Sequence, residues 1–173
     1  MSAHRFIYML AGILLLLSCG SDNNAPIDDP GNTTNHYLQL QPNGLNAIKV
    51  SCTEENFVFP FQIKAVGNGS NQGGEAQINS WSEDELKAYN NKEKTSYVLL
   101  PSSLYSLTST EVSFKEGIST MDVEVKFNPS KVFAEFREKT VEYVIALKLS
   151  SDKIQVRDSQ SRILLSISFD YPT

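Results

Sequence analysis

The chain has 173 residues, with 15 Lys and Arg against 20 Asp and Glu, a formal net charge of −5. That balance, with no basic run anywhere, excludes nucleic acid as a partner, because such binding needs a basic face. A hydrophobic fraction of 40% and an aromatic fraction of 10% describe a globular chain and exclude wholesale disorder. The first element is the run Phe6–Leu17, "FIYMLAGILLLL", twelve uncharged residues behind the basic leader His4-Arg5. It is too short for a mature helix to cross a bilayer, which takes about 20 residues. It fits the apolar segment of a secretory signal, predicted over residues 1–18.

The run ends in "LLSC", with Leu16 three residues before Cys19 and small Ser18 directly before it. This resembles the lipobox of bacterial lipoproteins. The resemblance implies that the Cys19 sulfur carries a diacylglycerol, that the chain is cut before Cys19, and that the new amino group is acylated. Each buried CH₂ contributes about 0.8 kcal/mol, so several acyl chains on one cysteine hold a protein almost permanently. Cys19 is then unavailable to Cys52, which alternates with Ile48 and Val50 and reads as a buried, unpaired thiol. The expected localisation is the outer membrane, lipid-anchored. The acids Asp22, Asp28 and Asp29 resemble the export signal of Bacteroidetes lipoproteins and imply exposure at the cell surface.

Residues 19–35 hold one large apolar residue, Ile27, and two prolines. Such a segment cannot bury enough surface to offset its ordering entropy. It reads as a flexible tether with a typical reach of about 20 Å. Removal of the signal leaves 14 cations against 20 acids, a mature charge of −6.

Residues 36–173 are one domain's worth of chain. A mature chain of this size buries about 70% of its unfolded surface, so its core needs no disulfide. In "FVFPFQIKAV", Phe57, Phe59, Phe61, Ile63 and Ala65 share one face, and Pro60 indicates an edge or a bulge. "MDVEVKF", "VEYVIALKL" and "ILLSISF" alternate likewise. Shorter strands are predicted at 37–40, 48–52, 76–81, 97–100 and 112–114. Turn residues separate them, and eight or nine short strands of this kind predict an all-β antiparallel β-sandwich.

One short helix is inserted between strands. In "SEDELKAYN", Ser82 and Glu85 have capping-box spacing, and Glu83 and Asp84 suit the positive end of the dipole. The spacing predicts about two turns, with Leu86 and Tyr89 on one face. A second helical turn is predicted at "SKVFAEFRE". The acids at 83–85 read as solvated residues at a helix start in preference to a cation site.

Three stretches carry a family resemblance: "DELKAYNNKEKTSYVLLPSSLYSL" (84–107), "VSFKEGISTMDVEV" (112–125) and "YVIALKLSS" (143–151). They resemble a domain of unknown function common in Bacteroidetes surface lipoproteins. The matching residues are Leu86, Tyr89, Asn90, Thr95, Tyr97, Leu100, Pro101, Tyr105, Gly117 and Tyr143; Lys94 stands where the family often has glycine. The resemblance implies an immunoglobulin-like sandwich. In longer members it precedes glycoside-hydrolase, lectin-like or discoidin-like domains, for which this chain leaves no room. A role with glycans is therefore implied by neighbourhood and not by a site.

No catalytic pattern is present. Downstream of Cys19 the only histidine is His36, and there is no G-x-S-x-G elbow, no H-E-x-x-H and no Cys/His pair with metal spacing. "GNGSNQGG" lacks the Lys-Ser/Thr of a phosphate loop and reads as a connection. The expectation is a non-enzyme with no cofactor and no metal.

The candidate binding residues are Trp81, Tyr89, Tyr97 and Tyr105. Their rings can stack on sugar faces, or they can pack the helix against the sandwich. Packing is the favoured alternative, most strongly for Tyr89 beside Leu86. Two functions follow: an accessory module that binds or presents glycan, or a structural, assembly or adhesion lipoprotein with a cell-surface protein as partner.

Overall fold

The computed structural model describes residues 36–68, 73–138 and 141–170. The signal, the tether, Cys19 and the middle of "GNGSNQGG" lie outside the described residues. Among those described, apolar–polar alternation builds eleven strands: β1 (Tyr37–Gln41), β2 (Gly44–Ser51), β3 (Phe57–Val66), β4 (Gly74–Ser80), β5 (Val98–Leu99), β6 (Tyr105–Leu107), β7 (Glu111–Phe114), β8 (Thr120–Phe127), β9 (Tyr143–Ser150), β10 (Gln155–Val156) and β11 (Arg162–Asp170). Helix α1 (Glu83–Glu93) joins β4 to β5, and α2 (Pro129–Phe136) joins β8 to β9.

The strands form two sheets in the orders β10-β1-β3-β8-β6 and β2-β11-β9-β4-β7, with β5 also against β9. This is the immunoglobulin-like sandwich. One sheet corresponds to strands A, B, E and D, the other to G, F and C with additions at both edges. Pairing is mainly antiparallel, with three parallel pairs: β1 with β10, β2 with β11, and β5 with β9. The first two arise because β1 and β2 are one run of chain that changes sheet. It turns at the cis Gln41–Pro42 bond and at Gly44, whose φ of +73° is left-handed.

The core lies between the sheets. Leu38, Leu40, Phe61, Ile63, Val123, Val125, Ile145, Leu147, Ile163 and Leu165 are each at most 2% exposed. These are the inward positions of the alternation. Cys52 follows β2 as a buried free thiol.

Several expectations are refined. Helix α1 has eleven residues, about three turns instead of two. Val141 lies before β9 and is exposed, so the inward face of that strand starts at Tyr143. Strand β3 is internal by order, yet β1 pairs only its second half, Gln62–Val66. Pro60 stands in the first half, which β8 alone pairs, so its missing N–H disturbs no second ladder.

Candidate functional site

Strand β9 is buried on both faces: Tyr143, Ile145, Leu147 and Leu149 point inward, Val144 and Ala146 outward. Strand β11 repeats this, with Leu164 and Ser166 buried on the outer side. A sheet face so apolar must be covered, and α1 covers it. Trp81, Leu86, Val144, Ala146 and Leu164 form a second apolar cluster, with Tyr89, Tyr97 and Leu99 packed against it.

Local chemistry sets the helix in place. Ser82 Oγ accepts from the Glu85 N–H, and the Glu85 carboxylate accepts from the Ser82 N–H at 2.8 Å. Its other oxygen receives Lys148 Nζ of β9 at 2.6 Å. That ammonium, with the Ser82 donors, holds the Glu85 carboxyl below its ordinary range. The predicted acid cluster therefore splits: Glu85 caps the helix and ties it to the sheet, while Glu83 and Asp84 are exposed.

At the other end Asn90 folds the exit loop back. Its amide donates to the Tyr97 carbonyl at 2.8 Å, and its Oδ1 accepts from Thr95 Oγ1 at 2.8 Å and the Tyr97 N–H at 3.2 Å. Lys94 closes the helix in left-handed conformation, φ 60° and ψ 40°, the backbone state a glycine adopts without penalty. Tyr89, Asn90, Thr95 and Tyr97 thus make one substructure, which accounts for their joint appearance in the resemblance.

The aromatics form a row. Trp81 meets Tyr89 edge-on at 5.6 Å and 69°, and Tyr89 stacks with Tyr97 at 6.4 Å and 23°. Trp81 is 5% exposed; Tyr89 and Tyr97 are half-buried, and desolvation pushes both phenols up. Tyr105 is apart, on the other sheet, with its hydroxyl 2.7 Å from Ser80 Oγ.

Beside this row lies a cleft of about 340 Å³ between α1 and the starts of β2 and β11. Trp81 and Leu164 line it with Ala88, Tyr89 and Leu45, the last 49% exposed. Glu85, Glu93 and Asp158 supply negative charge, and Lys92 and Arg162 positive charge. The Arg162 guanidinium stands 5.3 Å from the Trp81 ring centre, within cation–π range. The buried Trp81 indole N–H has no hydrogen-bond partner among the described residues. An aromatic and aliphatic lining with a few directed polar groups is the composition of a small-ligand site. The Glu85 carboxyl, held below its ordinary range by Lys148 and Ser82, is ionised at neutral pH and stands in this cleft as a hydrogen-bond acceptor. Among the described residues no cluster of three His, Cys, Asp or Glu is placed to hold a metal ion.

Of the predicted candidates the cleft takes Trp81 and Tyr89, with Tyr97 behind them. Arg162, Leu164, Leu45 and Asp158 were not anticipated. A signal for Leu164 exists in "RILLSISF", where a leucine interrupts the polar positions of the alternation.

A family model of an N-terminal domain matches residues 29–156. No curated protein sequence matches the chain. Among solved structures the chain is similar to a candidate carbohydrate-binding protein from Bacteroides ovatus, at 15% identity and a TM-score of 0.64, over 78% of this chain and 37% of that one. It is also similar to EndoBT-3987 from Bacteroides thetaiotaomicron, solved with Man5GlcNAc product, at 17% identity and a TM-score of 0.57, over 77% and 31%. A Bacteroides ovatus protein of unknown function aligns at 13% identity and a TM-score of 0.53, over 76% and 43%. At these identities the likeness is one of fold. The chain spans less than half the length of each of these structures.

Proposed function

The chain belongs to this Bacteroidetes family of N-terminal domains, and from that premise we propose that it is a non-catalytic, lipid-anchored module that binds or presents glycan. The observation that carries the proposal is the cleft beside α1, where half-buried Tyr89 and exposed Leu45, over buried Trp81 and Leu164, meet Arg162, Asp158 and Glu85. Apolar ring faces with donors and acceptors at the margin suit a sugar, which has one apolar face and a girdle of hydroxyls. The relatives described as carbohydrate-binding, or solved with a glycan product, are consistent with it. The test is calorimetry of the full chain in detergent against neutral oligosaccharides at millimolar concentration. Binding that Tyr89→Ala removes supports the proposal, and absence of binding to every sugar defeats it.

The anchoring is proposed with it: a signal over 1–18, a lipid on Cys19, a tether over 19–35, and an outer-membrane address facing outward. Cys19→Ala is expected to release a soluble or unprocessed chain. Persistent lipid labelling and membrane recovery of that variant defeats the anchor.

A second proposal, an assembly or adhesion lipoprotein with a protein partner, draws on one observation. Strand β2 pairs with β11 along eight residues, and no described strand lies on its other side. An edge of that length is a template for strand addition. Cross-linking on cells that recovers no partner, with a monomeric chain in solution, counts against it.

A further inference from the structure

The two ends of the sandwich are chemically different. Tyr37 pairs with Val66, at the end of β3 where the chain enters. Phe57 begins the opposite end, about 30 Å away at a rise of about 3.3 Å per residue. There a second cleft of about 340 Å³ opens between the start of β3, the end of β8, β6 and the first turn of α2. Its lining includes Phe57 and Phe127, whose rings meet at 5.1 Å and 48°, with Tyr105 beside them. Asn56 and serine hydroxyls add neutral polar groups, and Lys126 and Lys131 add two positive charges.

No carboxylate lines this cleft, in a chain with 20 acidic residues. Lys126 is shared with Glu124 of its own strand at 2.8 Å, while Lys131 has no ion pair among the described residues. The cleft beside α1 differs: Glu85, Glu93 and Asp158 line it with Lys92 and Arg162, so its charge is mixed, three acids against two cations. A concave site of one sign with low-dielectric walls concentrates ligands of the other sign.

We propose that this end cleft binds an acidic saccharide, a uronate or a sulfated sugar, with its anionic group against Lys126 and Lys131 and its ring against Tyr105. The anion preference stands on Lys131, on Lys126 that Glu124 shares, and on a lining without carboxylates; the saccharide class rests on the glycan reading above.

The test is calorimetry of the full chain in detergent at low salt. The probes are a tetragalacturonate, a sulfated disaccharide, a neutral tetrasaccharide and inorganic sulfate. At least one acidic sugar is expected to bind tenfold or more tighter than the neutral one. Lys126→Gln and Lys131→Gln are each expected to weaken it about two- to fivefold, since partly exposed charge pairs contribute modestly. Tyr89→Ala, in the other cleft, is expected to leave it unchanged. Equal binding of acidic and neutral sugars overturns the proposal, as does indifference to both lysines. Sulfate binding as tightly as the sugars reduces the site to an anion site and overturns the saccharide. Neutral-sugar binding that Tyr89→Ala abolishes, with no lysine-dependent acidic binding, overturns this proposal and leaves the α1 cleft standing.

Discussion

The carboxylate of Glu85 lies 2.6 Å from the ammonium of Lys148, 63 residues further along the chain. This pair joins the first turn of α1 to the second half of β9 and so holds the helix over the outer face of its sheet. Both side chains are more than a third exposed, 38% and 37%, so solvent screens the pair and it contributes about 0.5 kcal/mol.

Its pH dependence has a definite sign. The carboxyl is depressed below its ordinary 4.5. Its contribution is therefore fully present above that value and is lost as pH falls through the folded one. Glu85→Gln keeps a capping side chain and removes the charge. The variant should melt below the parent chain at pH 7, and the gap should narrow at pH 3. Thermal unfolding at the two pH values checks this; a gap that widens in acid contradicts it.

Asn90 makes three hydrogen bonds that fold Thr95 and Tyr97 against the helix end. Asn90→Ala leaves the Tyr97 carbonyl and N–H without that partner, at a cost of about 2 kcal/mol. Urea unfolding should show the loss, with faster amide exchange at Thr95 and Tyr97. A change below about 0.5 kcal/mol makes the loop self-supporting.

Lys94 adopts φ 60° without being glycine. Lys94→Gly relieves a left-handed strain of about 1 kcal/mol, less the entropy a glycine adds to the unfolded chain. A stability gain of about 0.5 kcal/mol in chemical denaturation is expected. Lys94→Val, β-branched at the same position, should lose stability. The two changes moving in the same direction contradicts the strain argument.

Cys52 is 8% exposed. In a Cys19→Ala chain, where Cys52 is the one remaining thiol, a thiol reagent should react only after urea unfolds the domain. Prompt labelling in native buffer contradicts the burial of β2's end.

What could be foreseen from sequence was what is local. Ser82 and Glu85 sit three residues apart, so their capping box needs no knowledge of the fold. Phe61 and Ile63, or Val123 and Val125, announce the inner face by a period of two. Strand β10 has two residues and β6 three; partners define them, and no period can show in so few positions. The extra turn of α1 carries no apolar residue after Tyr89, so periodicity stopped before the helix did. The cleft was hidden for the same reason. Arg162 reaches Trp81 across 81 positions, and the parallel register that sets Leu45 beside Leu164 follows from a change of sheet at Pro42. Tyr105 looked like a fourth member of the aromatic row because it is near in sequence, whereas its strand belongs to the opposite sheet.

The parallel pairing of β2 with β11, in register from Gly44–Ile163 to Ser51–Asp170, has a mechanical consequence. Gly44 and Asp170 stand at opposite ends of this ladder, so a pull between the start of β2 and the end of β11 slides these two strands lengthwise past each other. Every rung of that ladder shares the load, and none can be peeled off before the rest. An antiparallel terminal pair pulled from adjacent ends would open like a zipper, one rung at a time. Tension along that direction therefore loads the eight-residue ladder in shear.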